Sequence, residues 1–175
     1  MENSENCGAK GECPVKSCLC KLICFALPVF IFLFAAGFVV HHVWLMPIYE
    51  QTASLWRPKA DMAQYFPWML GLYGVLAITI SGLFCKIQKA RKAFYADKPE
   101  AECAIGGKHC PIKHGICFGI LIGILLGTMA ASTYIWTPIP GDLAVKWFLA
   151  WVVQGACIGI LLGLIGHCKE KGCKK

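Results

Sequence analysis

The chain of 175 residues has little charge: Asp, Glu, Lys and Arg make up 15% of it, against about 25% in an average soluble domain. Four stretches contain none of these residues, and each matches or exceeds the ~20 residues that an apolar helix needs to cross a bilayer. A soluble domain of this length has no interior for four helices that are apolar on every side. The composition therefore excludes a soluble enzyme, a disordered protein and a nucleic-acid-binding domain. The four stretches are Leu22–Tyr49, Met62–Cys85, His114–Gly141 and Trp147–Cys168.

The first of these stretches lacks the marks of a cleaved signal peptide. Residues 1–21 precede it and contain four cysteines and three acidic residues, unlike a short basic leader, and no small-x-small cleavage site follows Val40. We therefore interpret it as a retained span. The sequence predicts an all-α, polytopic membrane protein with four transmembrane helices in an antiparallel bundle, over residues 22–44, 66–85, 115–136 and 145–166.

Lys and Arg predict the orientation of these spans. Fourteen of the 17 basic residues fall in the two tails and the middle connection, and three fall in the other two connections. Cytoplasmic loops carry the basic excess, so both termini are predicted to be cytoplasmic, in a bacterial inner membrane. The transmembrane domain, residues 22–166, then lies between a Cys-rich tail, residues 1–21, and a basic Cys-containing tail, residues 167–175. The net charge of +7 reflects topology and contact with the lipid bilayer rather than nucleic-acid binding.

Aromatic residues give an independent signal of the same orientation. Trp and Tyr rings favour the membrane interface, and eight of them fall near the predicted outer ends of the spans. The connection from Met46 to Pro58 on that side is expected to hold a short interfacial helix that ends before Pro58. The eight rings are those of Trp44, Tyr49, Trp56, Trp68, Tyr134, Trp136, Trp147 and Trp151.

The predicted outer connections contain no cysteine, and ten of the twelve cysteines lie at or beyond the predicted cytoplasmic boundary. Cytosol keeps thiols reduced, so clustered cysteines there indicate metal binding or redox sensing rather than disulfides. No CxxC pair is present, so the spacing is not that of a zinc finger, but thiolates with imidazoles form the ligand set that selects Cu or Zn. The candidate metal ligands are Cys7, Cys13, Cys18, Cys20, Cys103, His109, Cys110, His114, His167, Cys168 and Cys173.

Other interpretations of the cysteines stay open. Cys24, Cys117 and Cys157 lie within the predicted spans, where cysteine serves as a small apolar residue. Juxtamembrane cysteines are also acceptors for S-acylation, and exposed thiols can sense redox conditions.

Glycine recurs at every fourth position in the third and fourth spans. Such ladders keep one helix face free of side chains and let another helix approach closely. They predict that the two spans pack together as a hairpin, or alternatively that they line a pore or contact a partner, either a second copy or another membrane protein. The ladder residues are Gly115, Gly119, Gly123 and Gly127, and Gly155, Gly159 and Gly163.

Polar residues suited to chemistry are scarce. No Asp, Glu, Lys or Arg lies deep in a span, which counts against an energised transporter, and no nucleotide loop, HExxH or GxSxG motif occurs, so an enzyme is not expected. Ionisable groups at the outer side are candidates for metal or proton handling, or for interfacial anchoring. They are His41, His42, Glu50, Arg57 and Asp61.

One segment carries a family resemblance. The run His42-Val43-Trp44-Leu45-Met46-Pro47-Ile48-Tyr49-Glu50-Gln51-Thr52-Ala53-Ser54-Leu55-Trp56-Arg57-Pro58, together with the glycine-ladder spans, resembles small four-span bacterial membrane proteins of uncharacterised function. The likeness extends from Leu22 to Gly166, with the Cys-rich tails as additions. It implies a four-span fold and brings no activity or site residue with it.

These patterns lead to two hypotheses of function. The first is binding or handling of a soft metal ion, Cu or Zn, by thiolates at the cytosolic membrane face. The second is a non-catalytic helix-packing subunit or assembly factor whose working surface is the glycine faces.

Overall fold

The computed structural model describes residues 14–96 and 111–172, with side chains for residues 22–166 apart from 59, 92 and 95–111. Every regular element in these ranges is helical. The long helices are α1 (Pro14–Phe38), α4 (Phe66–Ala96), α5 (Pro111–Ala131) and α7 (Gly141–Gly172), and the short ones are α2 (Met46–Gln51), α3 (Lys59–Met62) and α6 (Thr133–Trp136). A π-helical segment, Val39–Trp44, follows α1, and 3₁₀ turns occupy Ala53–Leu55 and Ala63–Tyr65.

Four helical stretches are long and apolar enough to cross a membrane: Leu22–Trp44, Ala53–Arg91, Ile112–Trp136 and Gly141–Gly166. The all-α fold and the number of membrane-length helices are therefore confirmed. All four long helices extend beyond the predicted spans at the thiol-bearing ends: α1 begins at Pro14, a residue suited to the first helical position, α4 continues to Ala96, α5 begins at Pro111 and α7 continues to Gly172.

Two helix pairs build the bundle. In the first pair, the Phe25 ring packs near Phe84 and the Phe34 ring near Phe66, so contacts run in opposite order along α1 and α4. In the second pair, the backbones of α5 and α7 meet at the glycine ladders. A core of apolar side chains joins the pairs and contains Val29, Leu33, Ala77, Ile80, Phe84, Phe118, Ile158 and Leu162.

A second apolar cluster closes one end of the bundle. Leu45 is fully buried and packs with Ile139, Leu143 and Ala144, at the turn into α7. Half-buried Ile48 and Trp56 surround them. As expected, the connection after span one forms a short helix, α2, that ends before Pro58, and the cluster holds this connection against the start of α7.

The eight rings assigned to the aromatic belt divide into two sets. Four point away from the bundle, as rings at a membrane interface do: Trp44, Trp68, Tyr134 and Trp136 are exposed. The other four are half-buried and pack inside the protein: Tyr49, Trp56, Trp147 and Trp151. Only half of the predicted belt therefore faces the surroundings. Tyr49, Trp56 and Trp147 pack where the first connection meets α7, and Trp151 packs against the main core of the bundle.

Candidate functional site

The two ends of the bundle differ in chemistry. The end that holds α2, α6 and the start of α7 is called the aromatic end here. The opposite end holds the last turns of α4, the first turns of α5 and the end of α7, and is called the thiol end. The candidate polar residues of the sequence lie at the aromatic end. The candidate metal ligands that fall on described helices lie at the thiol end: Cys18, Cys20, His114, His167 and Cys168.

A π-helical segment shapes the aromatic end. The backbone N–H of Leu45 donates to the carbonyl of Val40 at 2.9 Å, five residues back, where an α-helix would reach back four. The predicted span of residues 22–44 is one helical stretch in the structure, but its last six residues, 39–44, form a π-helix. Isolated π turns recur at functional sites because the extra residue rotates the side chains that follow. Here the turn contains both His41 and His42.

His41 enters a hydrogen-bond chain with Tyr49 and Trp147. Its Nδ1 lies 2.7 Å from the Tyr49 hydroxyl, and the Trp147 Nε1–H donates to the same oxygen at 2.8 Å. An indole only donates, so Tyr49 accepts from Trp147 and has one hydrogen left to give. In the arrangement we assign, Tyr49 donates this hydrogen to Nδ1 of His41. The imidazole is then neutral and carries its own hydrogen on Nε2.

Burial acts on the Tyr49 hydroxyl. It raises the pKa of the Tyr49 hydroxyl above its ordinary value, an effect that the hydrogen bond from Trp147 partly offsets. The hydroxyl therefore stays protonated at neutral pH and can act as a donor. The imidazole of His41 also stacks on the Tyr49 ring, with centroids 5.9 Å apart, which holds the two groups in register.

The other candidate polar residues at this end do not join His41. The His42 ring packs on Phe38, with centroids 4.9 Å apart. Arg57 donates to the Tyr65 hydroxyl at 2.6 Å and lies over that ring. Glu50 and Asp61 are exposed. The five residues grouped by the sequence are thus dispersed over the surface, and His41 alone connects to the interior.

The seven ladder glycines lie together between α5 and α7, in opposite order along the two helices. A Cβ on Gly115 would meet the carbonyl of Gly159, and one on Gly119 would meet the carbonyl of Gly155. At the far end of the ladder, a Cβ on Gly127 would stand 2.9 Å from the carbonyl of Phe148. Each glycine face is therefore covered by the other helix within the same chain. Gly123 faces Trp151 and Val152, and Gly163 lies against Gly115.

A layer of phenylalanines marks the beginning of the thiol end. The Phe84 ring lies 6.1 Å from Phe25 and 5.4 Å from Phe118, measured between centroids, so α1, α4 and α5 meet at one level. A cysteine is the sequence neighbour of each ring. Cys24 and Cys117 are exposed, Cys85 is half-buried, and no disulfide joins any of the cysteines whose side chains the structure describes.

Most candidate metal ligands lie outside the described residues. That holds for Cys7, Cys13, Cys103, His109, Cys110 and Cys173. Cys18 and Cys20 fall on α1 and His167 and Cys168 on α7, but their side chains are not among those described. His114 is half-buried on α5. Among the described side chains, no three His, Cys, Asp or Glu residues lie close enough to hold a metal ion.

Sequence reasoning missed the partners of His41. Tyr49 and Trp147 were assigned to the interface, and nothing local connects them, since they are 98 residues apart. Thr52, which donates to the Ile48 carbonyl at 2.8 Å and accepts from the Trp56 indole at 2.9 Å, was not singled out. One feature of the sequence could have indicated these partners: Tyr and Trp carry polar atoms that need hydrogen-bond partners when the rings are buried.

No protein-family model, curated protein or solved structure matches the chain.

Replacing Tyr49 by phenylalanine is expected to destabilise the aromatic end by about 1–3 kcal/mol, because the Trp147 indole loses its acceptor inside the protein. Unfolding by SDS in mixed micelles, followed by Trp fluorescence, measures the change. Tyr65→Phe is the matched control, because its hydroxyl pairs with exposed Arg57 and surface changes usually stay within about 0.5 kcal/mol. Equal losses in the two variants would show that the part-buried hydrogen bond from Trp147 to Tyr49 stabilises the protein no more than a surface contact does.

Proposed function

We propose that the protein is a bundle of four antiparallel spans with both termini in the cytoplasm, and that it binds a soft metal ion, Cu or Zn, at the thiol end. The ligands would be thiolates and imidazoles drawn from the two tails and the middle connection. The aromatic end would then lie at the outer interface.

One observation carries this proposal: every Cys-rich segment is attached at the same end of the bundle. The segment of residues 1–13 precedes α1, residues 97–110 connect α4 with α5, and residues 173–175 follow α7. The phenylalanine layer holds α1, α4 and α5 at one level, and the contact of Gly115 with Gly163 brings the far part of α7 to the start of α5. Cysteine-containing segments that are distant in the sequence are therefore attached to neighbouring helix ends.

The described residues narrow the choice of ligands. Cys24, Cys85 and Cys117 sit at the phenylalanine layer but form no group that could hold a metal ion among the described side chains. The proposal therefore depends on the cysteines of the tails and the middle connection. Within the membrane-spanning part, cysteine acts as a small apolar residue.

The alternative, a helix-packing subunit that uses its glycine faces, has a less direct basis. Those faces are occupied within the chain, because α5 and α7 cover each other. A partner in the membrane would have to contact other surfaces, such as the exposed face of α4 that includes Trp68, Leu72 and Val75.

Metal analysis of the protein purified without oxygen tests the proposal. We expect stoichiometric Cu or Zn after growth with both metals, and loss of that metal when Cys103 and Cys110 are both replaced by serine, because a thiolate ligand cannot be replaced by a hydroxyl for a soft ion. The measurement is elemental analysis combined with thiol counting. The control is serine at both Cys24 and Cys117, which should keep the metal.

A wild-type protein with substoichiometric metal under these conditions would contradict the proposal. So would a control variant that loses as much metal as the Cys103 and Cys110 variant. In the helix-packing alternative, both cysteine variants would behave like the wild type.

A further inference from the structure

A small cavity lies between α1, α4 and α7, on the aromatic side of the core. Its volume is about 20 Å³, and a cavity needs about 10–15 Å³ to hold a water molecule. The apolar side chains of Leu33, Val40 and Ala150 form part of its lining. It is therefore large enough for one water molecule and too small for a lipid chain or a cofactor.

The cavity also has the polar groups that a bound water requires. Gln154 of α7, Tyr73 of α4 and His41 of the π-helical segment all line it. A buried water typically makes about three hydrogen bonds, to polar groups that would otherwise lack partners. An empty cavity, by contrast, is characteristically apolar throughout.

Two of these groups lack partners in the part of the chain that the structure describes. Gln154 is 8% exposed, and its carboxamide makes no hydrogen bond to a described residue. The same holds for the Tyr73 hydroxyl, which lies over Gly37, where an added Cβ would stand 2.7 Å from the oxygen. A largely buried carboxamide without a partner is costly in apolar surroundings, so a water molecule that hydrogen-bonds to it in the cavity it lines has a clear role.

We propose that this cavity is a binding site for one water molecule, held by Gln154 and Tyr73 and reached by His41. The water completes a hydrogen-bond chain that continues from His41 to Tyr49 and Trp147 and so to the aromatic end. It also gives α4 a polar connection to α7. A Cβ at position 37 would stand 2.7 Å from the Tyr73 hydroxyl and would displace it from this position.

Nuclear magnetic resonance of the full-length protein, labelled with ¹⁵N-glutamine in deuterated lipid, tests this site. The chain has four glutamines, Gln51, Gln64, Gln88 and Gln154, and Gln154→Met identifies the signal of interest. We expect the Gln154 carboxamide protons to show magnetisation transfer from a long-lived water. We also expect Tyr73→Phe to remove most of that transfer, because the water loses one of its partners.

Tyr134→Phe is the matched control, because Tyr134 is exposed at the same end, and it should leave the Gln154 signal unchanged. If Tyr73→Phe fails to fold, which the other three glutamine signals would reveal, Gly37→Ala replaces it and should also weaken the transfer. Absence of water transfer at Gln154 in the wild type overturns the proposal. The proposal is also overturned if water transfer to Gln154 persists in Tyr73→Phe, or in Gly37→Ala where that variant replaces it. Magnetisation transfer to Gln154 from protonated lipid chains, measured in a matched sample, would show that lipid occupies the site and would overturn the proposal as well.

Discussion

Gly119→Leu is expected to separate α5 from α7 and to cost more than about 3 kcal/mol of unfolding free energy. A Cβ at this position meets the carbonyl of Gly155 and comes within 2.8 Å of the Gly159 Cα. Both obstacles are backbone, which cannot rotate away as a flexible side chain does. Overpacking of a tight core typically costs about 1–3 kcal/mol, and leucine adds a whole branched side chain. SDS unfolding in mixed micelles provides the measurement.

Gly71→Leu on α4 is the control for this prediction. A Cβ there meets nothing within 4 Å, and the residue is exposed, so the unfolding free energy should stay the same or rise slightly, since glycine is a poor helix former. Gly127→Leu should fall between the two variants because part of its obstacle is the Phe148 side chain. If Gly119→Leu and Gly71→Leu unfold alike, close backbone contact does not stabilise this pair.

Leu45→Ala is expected to cost about 2–5 kcal/mol, the range for removing a large buried side chain and leaving a cavity. Leu45 is 0% exposed and joins the π-helical segment to α2 at the centre of the apolar cluster that closes the aromatic end. Its loss should also loosen Tyr49 and thereby weaken the hydrogen bond from Trp147. Unfolding free energy and the emission of the half-buried tryptophans report the two effects.

Leu72→Ala serves as the comparison, since Leu72 is 68% exposed on α4. In a bilayer or micelle its side chain exchanges one apolar environment for another, so its loss should cost much less. A Leu72→Ala loss as large as that of Leu45→Ala would contradict the picture of a closed apolar cap.

The features that the sequence predicts well are those with a simple physical cause. Charge-free stretches predict spans because a charged side chain is expensive in hydrocarbon. The glycine ladders predict a close approach because a repeat of four keeps glycine on one helix face. Both signals are local in the chain, so no knowledge of the other helices is required. The four apolar helices and the meeting of Gly119 with Gly155 follow from them.

The arrangement at the aromatic end could not be predicted in this way. The π-helical segment depends on a choice between two hydrogen-bond patterns that differ by one residue, and no proline marks it within residues 39–44. The contact of Tyr49 with Trp147 depends on how the first connection folds over α7. The inward or outward direction of each tryptophan follows from that packing, whereas the sequence shows only that the ring lies near an interface.

The most direct test of the account is the sidedness of the thiols, since the proposed metal site requires every Cys-rich segment to face the cytoplasm. Intact cells are treated with a thiol reagent that cannot cross the membrane, using a protein that retains Cys13 as its only cysteine and a second that has only Ser54→Cys in the first connection. The account predicts labelling of the Ser54→Cys protein, and labelling of Cys13 only after the cells are lysed. Labelling of Cys13 in intact cells would contradict it.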